Sequence, residues 1–187
     1  MVIKDTEFTL KDGRRAVIRN ARAEEKDSAG LVEYLKISAA ETEFILRYPE
    51  ECDKYTVENE IHYIKSMNES ENSLMLVCDV DGKIAGNCQI TWSDNLKLRH
   101  RADIGIALVS EFWGLGIGTK MFEKMIEAAE NNENILQIEL EVVEGNSRAR
   151  ALYEKMGFRI ASIRPNAIRL RDGTLLNEYT MIRKIER

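Results

Sequence analysis

The chain is poor in the residues on which metal and redox chemistry depend. It has two histidines, His62 and His100, and three cysteines, Cys52, Cys78 and Cys88, with no CxxC pair and no zinc-type spacing. No metal centre is expected from such a set. Cys78 and Cys88 fall in strand-like runs, where free cysteines are ordinarily buried and inert. No apolar run approaches the ~18 residues of a membrane span. The opening segment, MVIKDTEFTLKDGRR, lacks the apolar centre of a secretory signal, so a cytoplasmic location without a membrane partner is expected. Positive charge is short as well. Against 32 acidic residues stand 27 Lys and Arg, a net charge of -5. That balance argues against a general nucleic-acid binder and suits a cationic substrate.

What is present describes a globular α/β chain. Of 187 residues, 44% are hydrophobic and 32% charged, which predicts one domain over residues 1–187 with a sizeable core. FTLKDGRRAVIRN reads as two short strands about an Asp12-Gly13 turn. Residues 24–39 read as a helix, with Ala29, Val32, Lys36 and Ala39 at helical spacing. ETEFILRYPEECDKY breaks that period and reads as a loop or a short irregular turn. Thr56 then caps a second helix that presents Val57, Ile61, Ile64 and Asn68 on one face. A strand, an Asp81-Gly82 turn and a second strand follow in LMLVCDVDGKIAGNCQITWS, and HRADIGIALVS gives another. After a glycine-rich stretch comes an amphipathic helix with Met121, Phe122, Met125, Ile126 and Ala129 on its apolar side. ILQIELEVVE alternates as a strand. NSRARALYEKMG is a short helix capped by Asn146 or Ser147 and stopped by Gly157. Two long strands about Asp172-Gly173 end the chain.

EFWGLGIGTK places glycine at 114, 116 and 118, directly before a helix. Glycine costs backbone entropy, so three at alternate positions imply that something must come close to the main chain. A strand leading through such a turn into a helix offers free N–H groups at the positive end of the helix dipole, a site for phosphate or pyrophosphate. Neither common nucleotide loop fits. A Walker loop needs Lys then Ser/Thr after its last glycine, whereas Thr119 and Lys120 stand in the reverse order. The dinucleotide fingerprint fails because position 119 is threonine.

LVSEFWGLGIGTK instead resembles the acetyl-CoA signature of the GNAT acetyltransferase superfamily, Q/R-x-x-G-x-G/A, with Trp113 where that pattern prefers Gln or Arg. VVEGNSRARALYEKMGF resembles the family's second motif, N-x-x-A-x-x-L-Y-x-K-x-G-F. The two motifs lie one helix and one strand apart, as the family requires. The resemblance implies a mixed, mostly antiparallel α/β sheet of about seven strands and about four helices, with the fourth and fifth strands splayed apart.

It also implies roles. Trp113, Gly114, Leu115, Gly116, Ile117, Gly118 and Thr119 would cradle the pyrophosphate of acetyl-CoA, and the backbone of Ile106, Ala107 and Leu108 would pair with the pantetheine arm like an added strand. Asn146 would lie against that arm, and Tyr153 would protonate the departing thiolate. The implied reaction is acetyl transfer to a primary amine, either small or at a peptide or protein amino group. A catalytically silent acyl-CoA-binding module is the alternative.

For the base that deprotonates the amine, Asp103 ranks first because it lies near the splayed strands. Glu139, Glu141, Glu41, Glu43 and His100 are the other candidates. Phe44, Ile45, Leu46 and Tyr48 would wall an acceptor pocket or cap the core. Glu41, Glu43, Glu50 or Glu51 would then draw a cationic amine or face solvent. Arg164, Arg169 and Arg171 would form a second wall that binds an acidic acceptor group, or face solvent. A homodimer through the terminal hairpin is compatible with its edge strands.

Overall fold

A computed structural model describes all residues from Met1 to Arg187. Its strands are β1 (Thr6–Thr9), β2 (Arg15–Asn20), β3 (Ser73–Val80), β4 (Lys83–Trp92), β5 (Arg101–Leu108), β6 (Gln137–Val143), β7 (Arg159–Arg169) and β8 (Leu175–Lys184). The helices are α1 (Glu25–Ala40), α2 (Val57–Glu69), α3 (Ile117–Glu130) and α4 (Ser147–Lys155), with short 3-10 turns at Pro49–Lys54 and Ser110–Phe112. The strands form one sheet in the order β1-β2-β3-β4-β5-β6-β8-β7. Eight strands appear where about seven are implied, and the short edge strand β1 makes the difference. All neighbours are antiparallel except β5 and β6.

The parallel pair opens almost at once. Only Arg101, Ala102 and Asp103 of β5 register with Gln137, Ile138 and Glu139 of β6. Beyond them the strands part, while β6 stays paired along its whole length with β8 through its other edge. The splayed fourth and fifth strands of the sequence reading are thus β5 and β6.

α1 and α2 cover one face of the sheet and α3 covers the other. β3 has apolar residues on both sides and is buried almost throughout. The core face of α3 is the predicted one: Met121, Phe122, Met125, Ile126 and Ala129 are all buried. α1 differs. Its inner face carries Asp27, Ser28, Leu31, Tyr34, Ser38 and Ala39, while Ala29 and Lys36 are exposed. Half of that face is polar, so hydrophobic periodicity points the wrong way. Asp27 is buried there because Arg19 of β2 meets it through two hydrogen bonds and also reaches Asp79 of β3 at 2.9 Å. Buried charges persist only when paired in this manner.

The local signals act as read. Thr56 Oγ1 accepts from Asn59 N–H at 3.2 Å, and Asn146 Oδ1 accepts from Ala149 N–H at 3.3 Å. Gly157 leaves α4 at φ +89°. Cys52, Cys78 and Cys88 are all buried, and burial pushes the Cys78 thiol up to about 12.

Candidate active site

The glycine loop runs from β5 into α3, and its three glycines have two different causes. Gly114 and Gly116 adopt φ +77° and +97°, and a Cβ on either would meet no atom within 4 Å. Their backbone is left-handed and stands beside open space, which a side chain could enter only with strain. Gly118 lies within α3, where a Cβ would come within 2.9 Å of Leu152 Cδ2. Its role is close packing of α3 on α4.

No backbone N–H from Gly114 to Thr119 donates to an acceptor in the chain, and the first helical bond of α3 is Lys120 N–H to Gly116 C=O. Six consecutive donors therefore converge at the start of a fourteen-residue helix with no acid in its first turn. The loop is braced from behind. Lys11 N–H reaches Leu115 C=O at 3.4 Å, and Arg14 lies 5.1 Å from the centre of the Phe112 ring. Two cations without carboxylate partners stand beside the donors. The Lys155 ammonium donates to Thr119 Oγ1 at 3.2 Å, and the Arg148 guanidinium lies 4.5 Å over the Trp113 ring. Trp113 itself donates from its indole nitrogen to Leu108 C=O at 2.8 Å.

The splay leaves a free strand edge in the middle of the sheet. Val109 N–H bonds Ala85 C=O of β4, whereas Leu136 N–H bonds His100 C=O. Backbone directions alternate along a strand, so odd residues of β5 face β4 and even residues face the gap. Ile106 and Leu108 turn their N–H groups into the gap. The backbone of Ala107 faces β4, and the Tyr34 hydroxyl also donates to its C=O at 3.0 Å.

Tyr153 lies one turn from the end of α4, buried against Phe122 and Phe158 at ring distances of 5.4 and 6.4 Å. Burial holds its phenol well above the usual tyrosine range. Asn146 spends its carbonyl oxygen on the α4 cap, while its amide N–H groups donate to nothing in the chain.

The acids divide by position. Asp103 stands opposite Glu139 at the last register of the parallel pair. Partial burial, then the charge of Glu139, raises its carboxyl above the ordinary value. Glu139 accepts from Gln137 at 2.6 Å and lies 3.6 Å from Arg101. Glu141 is two residues into the splay and pairs with Arg164 at 3.3 Å, while Arg164 also holds the buried Glu178 at 2.7 Å. His100 sits at the closed end, where its carbonyl accepts from β6. Glu41 binds Ser110, Glu50 pairs with Arg171, and Glu51 accepts from Tyr48 N–H at 2.7 Å. Of the four acids in residues 41–51, only Glu43 has no such partner.

The two predicted pocket walls meet. Residues 39–43, 45–49 and 51 line a cleft of ≈ 600 Å³ with residues 167–171, and Ile45, Leu46, Tyr48, Ile168 and Leu170 form its apolar surface, whereas the Phe44 ring packs toward Gly145. Arg171 lies 3.9 Å over the Tyr48 ring and bridges the two walls. Arg169 lines the cleft, whereas Arg164 is engaged by Glu141 and Glu178. The contacts of Arg148 and Tyr34 are invisible in sequence, since neither residue stands near its partner along the chain.

The sheet is split by one parallel pair, and a free strand edge runs into a bare helix start, the arrangement that the resemblance to the GNAT family implies. Comparisons with known proteins agree. Residues 37–158 match the acetyltransferase (GNAT) family, and the chain belongs to it. It is 29% identical over 157 residues to an N-alpha-acetyltransferase of Sulfurisphaera tokodaii, covering 80% of this chain and 83% of that one. A GNAT-family acetyltransferase from Streptococcus pneumoniae superposes with a TM-score of 0.83 at 29% identity, over 91% of this chain and 99% of the other. A ribosomal L7/L12 alpha-N-protein acetyltransferase solved with coenzyme A shares the fold at a TM-score of 0.74 and 16% identity, over 91% of this chain and 94% of that one. The protein is thus a GNAT-family acetyltransferase, and no helix in it is long and apolar enough to cross a membrane.

Proposed function

We propose that the chain is an N-alpha-acetyltransferase, moving an acetyl group from acetyl-CoA to the α-amino group of a peptide or protein. The observation that carries the reading is the run of unpartnered N–H groups from Gly114 to Thr119, continuous with the open edge of β5. Donors in that order suit a pyrophosphate followed by an amide-bearing arm. Arg148 and Lys155 would add charge where Trp113 replaces the usual Gln or Arg. The relatives named N-alpha-acetyltransferase and a cleft lying open between residues 39–51 and the terminal hairpin support a peptide acceptor over a small amine.

In the proposed reaction the neutral amine attacks the thioester carbonyl carbon, and a proton leaves the amine for Asp103, directly or through water. The gap-facing N–H groups of β5 stabilise the charge that develops on the carbonyl oxygen. The C–S bond then breaks, and the Tyr153 hydroxyl delivers a proton to the departing sulfur. The raised carboxyl of Asp103 suits a base, and burial keeps the Tyr153 hydroxyl in its protonated form at neutral pH.

A calorimetric titration with acetyl-CoA, CoA and ATP tests the cradle. A panel of peptides with free and blocked N-termini, read by thiol release, tests the acceptor. Binding of both CoA species without ATP, and turnover of free N-termini only, is expected. Turnover of small amines or lysine side chains in preference to free N-termini would overturn the acceptor assignment.

A further inference from the structure

We propose that Glu41 is a positioning residue that couples the acceptor side to the cofactor loop, so that a CoA species in the loop organises the segment 41–48. The inference rests on the cradle reading above and extends it to regulation of the acceptor site.

Glu41 occupies the C-terminal cap of α1, where its N–H bonds Ile37 C=O. A carboxylate there faces the negative end of the helix dipole, an unfavourable place for it. Its two oxygens are both engaged elsewhere. Oε2 accepts from the Ser110 N–H and Oε1 from the Ser110 hydroxyl, each at 2.7 Å. Charge-assisted bonds of that length are among the stronger contacts a side chain makes. Ser110 opens the 3-10 turn that leads into the glycine loop. These two bonds span 69 residues of sequence and are the only hydrogen bonds joining 41–48 to 109–119.

The rest of the segment is pinned to other parts of the site. The Phe44 ring packs 3.5 Å from where a Gly145 side chain would begin, one residue before Asn146. Arg47 donates to Ser38 of α1 at 3.1 Å, and Tyr34 of the same helix holds Ala107 C=O. Tyr48 lies under Arg171 of the hairpin. Residues 41–48 therefore form a strap with one end on the cofactor loop and the other on the acceptor cleft. A ligand that fixes the turn after β5 fixes Ser110, and through it Glu41. Such coupling is reciprocal and typically worth roughly 5- to 150-fold in affinity.

Amide hydrogen exchange of the full chain, with and without free CoA, tests the coupling in wild type, Glu41→Gln, Ser110→Ala and Ser110→Thr. Glu41 and Ser110 are exposed, so these changes open no cavity, and thermal melts check that the fold persists. In wild type, CoA should slow exchange across 114–119 and, by at least about fivefold, across 41–48. Glu41→Gln and Ser110→Ala, which each remove one of the two bonds, should keep the first effect and weaken the second. Ser110→Thr, which retains the hydroxyl, should restore it. Equal protection of 41–48 in wild type and both disruptive variants overturns the coupling, as does protection of 114–119 alone in wild type. If CoA protects neither segment, the cradle reading fails and the coupling fails with it.

Discussion

On the cofactor side of the split between β5 and β6, the groups that would meet a ligand are main-chain N–H groups of six consecutive residues, 114–119. On the proposed acceptor side they are side chains from separate segments: residues of 39–51 and 167–171 line one cleft, Asp103 stands opposite Glu139, and Glu141 pairs with Arg164. The first side is held by local geometry, since a left-handed turn before a helix exposes those donors whatever the neighbouring side chains are. The second depends on contacts between distant segments, such as Tyr48 with Arg171 and Glu41 with Ser110. A site built this way can keep one ligand while its other specificity changes, because substitutions in the terminal hairpin leave the loop backbone untouched.

The largest effect should come from the chemistry shared by both sides. Tyr153→Phe keeps the packing against Phe122 and Phe158, so CoA affinity should stay within about twofold while kcat falls by roughly 10²–10⁴, the usual range for a general acid. Unchanged kcat would remove the acid role. Because burial raises the Tyr153 phenol, no loss of activity from its ionisation is expected on the alkaline side of neutrality.

Asp103→Asn should lower kcat/KM by about 10² at neutral pH. A base works deprotonated, so activity should fall as pH drops through its pKa. Burial and Glu139 raise that pKa, which places the acid limb above the ordinary carboxylate range. The limb should vanish in Asp103→Asn. A limb that survives there and disappears in Glu141→Gln would move the base two residues into the splay, onto β6.

Breaking the cofactor side alone calls for a backbone change. Gly116→Val puts a branched side chain at φ +97°, a strain of about 1–2 kcal/mol. Calorimetry should show CoA affinity reduced about tenfold, with acceptor KM little altered. On the acceptor side, Arg171→Ala loses an exposed ion pair worth at most about 1 kcal/mol. Acceptor KM should rise by about threefold or less with CoA affinity unchanged. If Arg171→Ala weakened CoA as much as Gly116→Val does, the two sides would not be separable.

The features legible in the sequence are those a short stretch of chain settles by itself. Asp81 and Gly82 both take positive φ in the β3–β4 turn, and Thr56 and Asn146 cap their helices through a backbone N–H three residues on. Glycine at 114 and 116 marks a left-handed turn because few other residues adopt it without strain. The paired motifs mark the loop and Tyr153 for the same reason: each is a strand, a turn and a helix in fixed order. The inner face of α1 was not legible. Its Asp27 and Ser38 look like solvent-facing residues until Arg19, and the packing of α2, are in place.

The sequence by itself determined the glycine turn, the caps, the hairpins and the order of elements, since these depend on torsional preferences and hydrogen bonds between near neighbours. Only the tertiary structure decided where β5 and β6 part, that β8 lies between β6 and β7, that Ala107 faces β4 while Ile106 faces the gap, and that Glu41 clasps Ser110. Each of these is a competition among distant partners for the same backbone or charged group. No local preference sets the winner, which emerges only when the sheet has closed around its core.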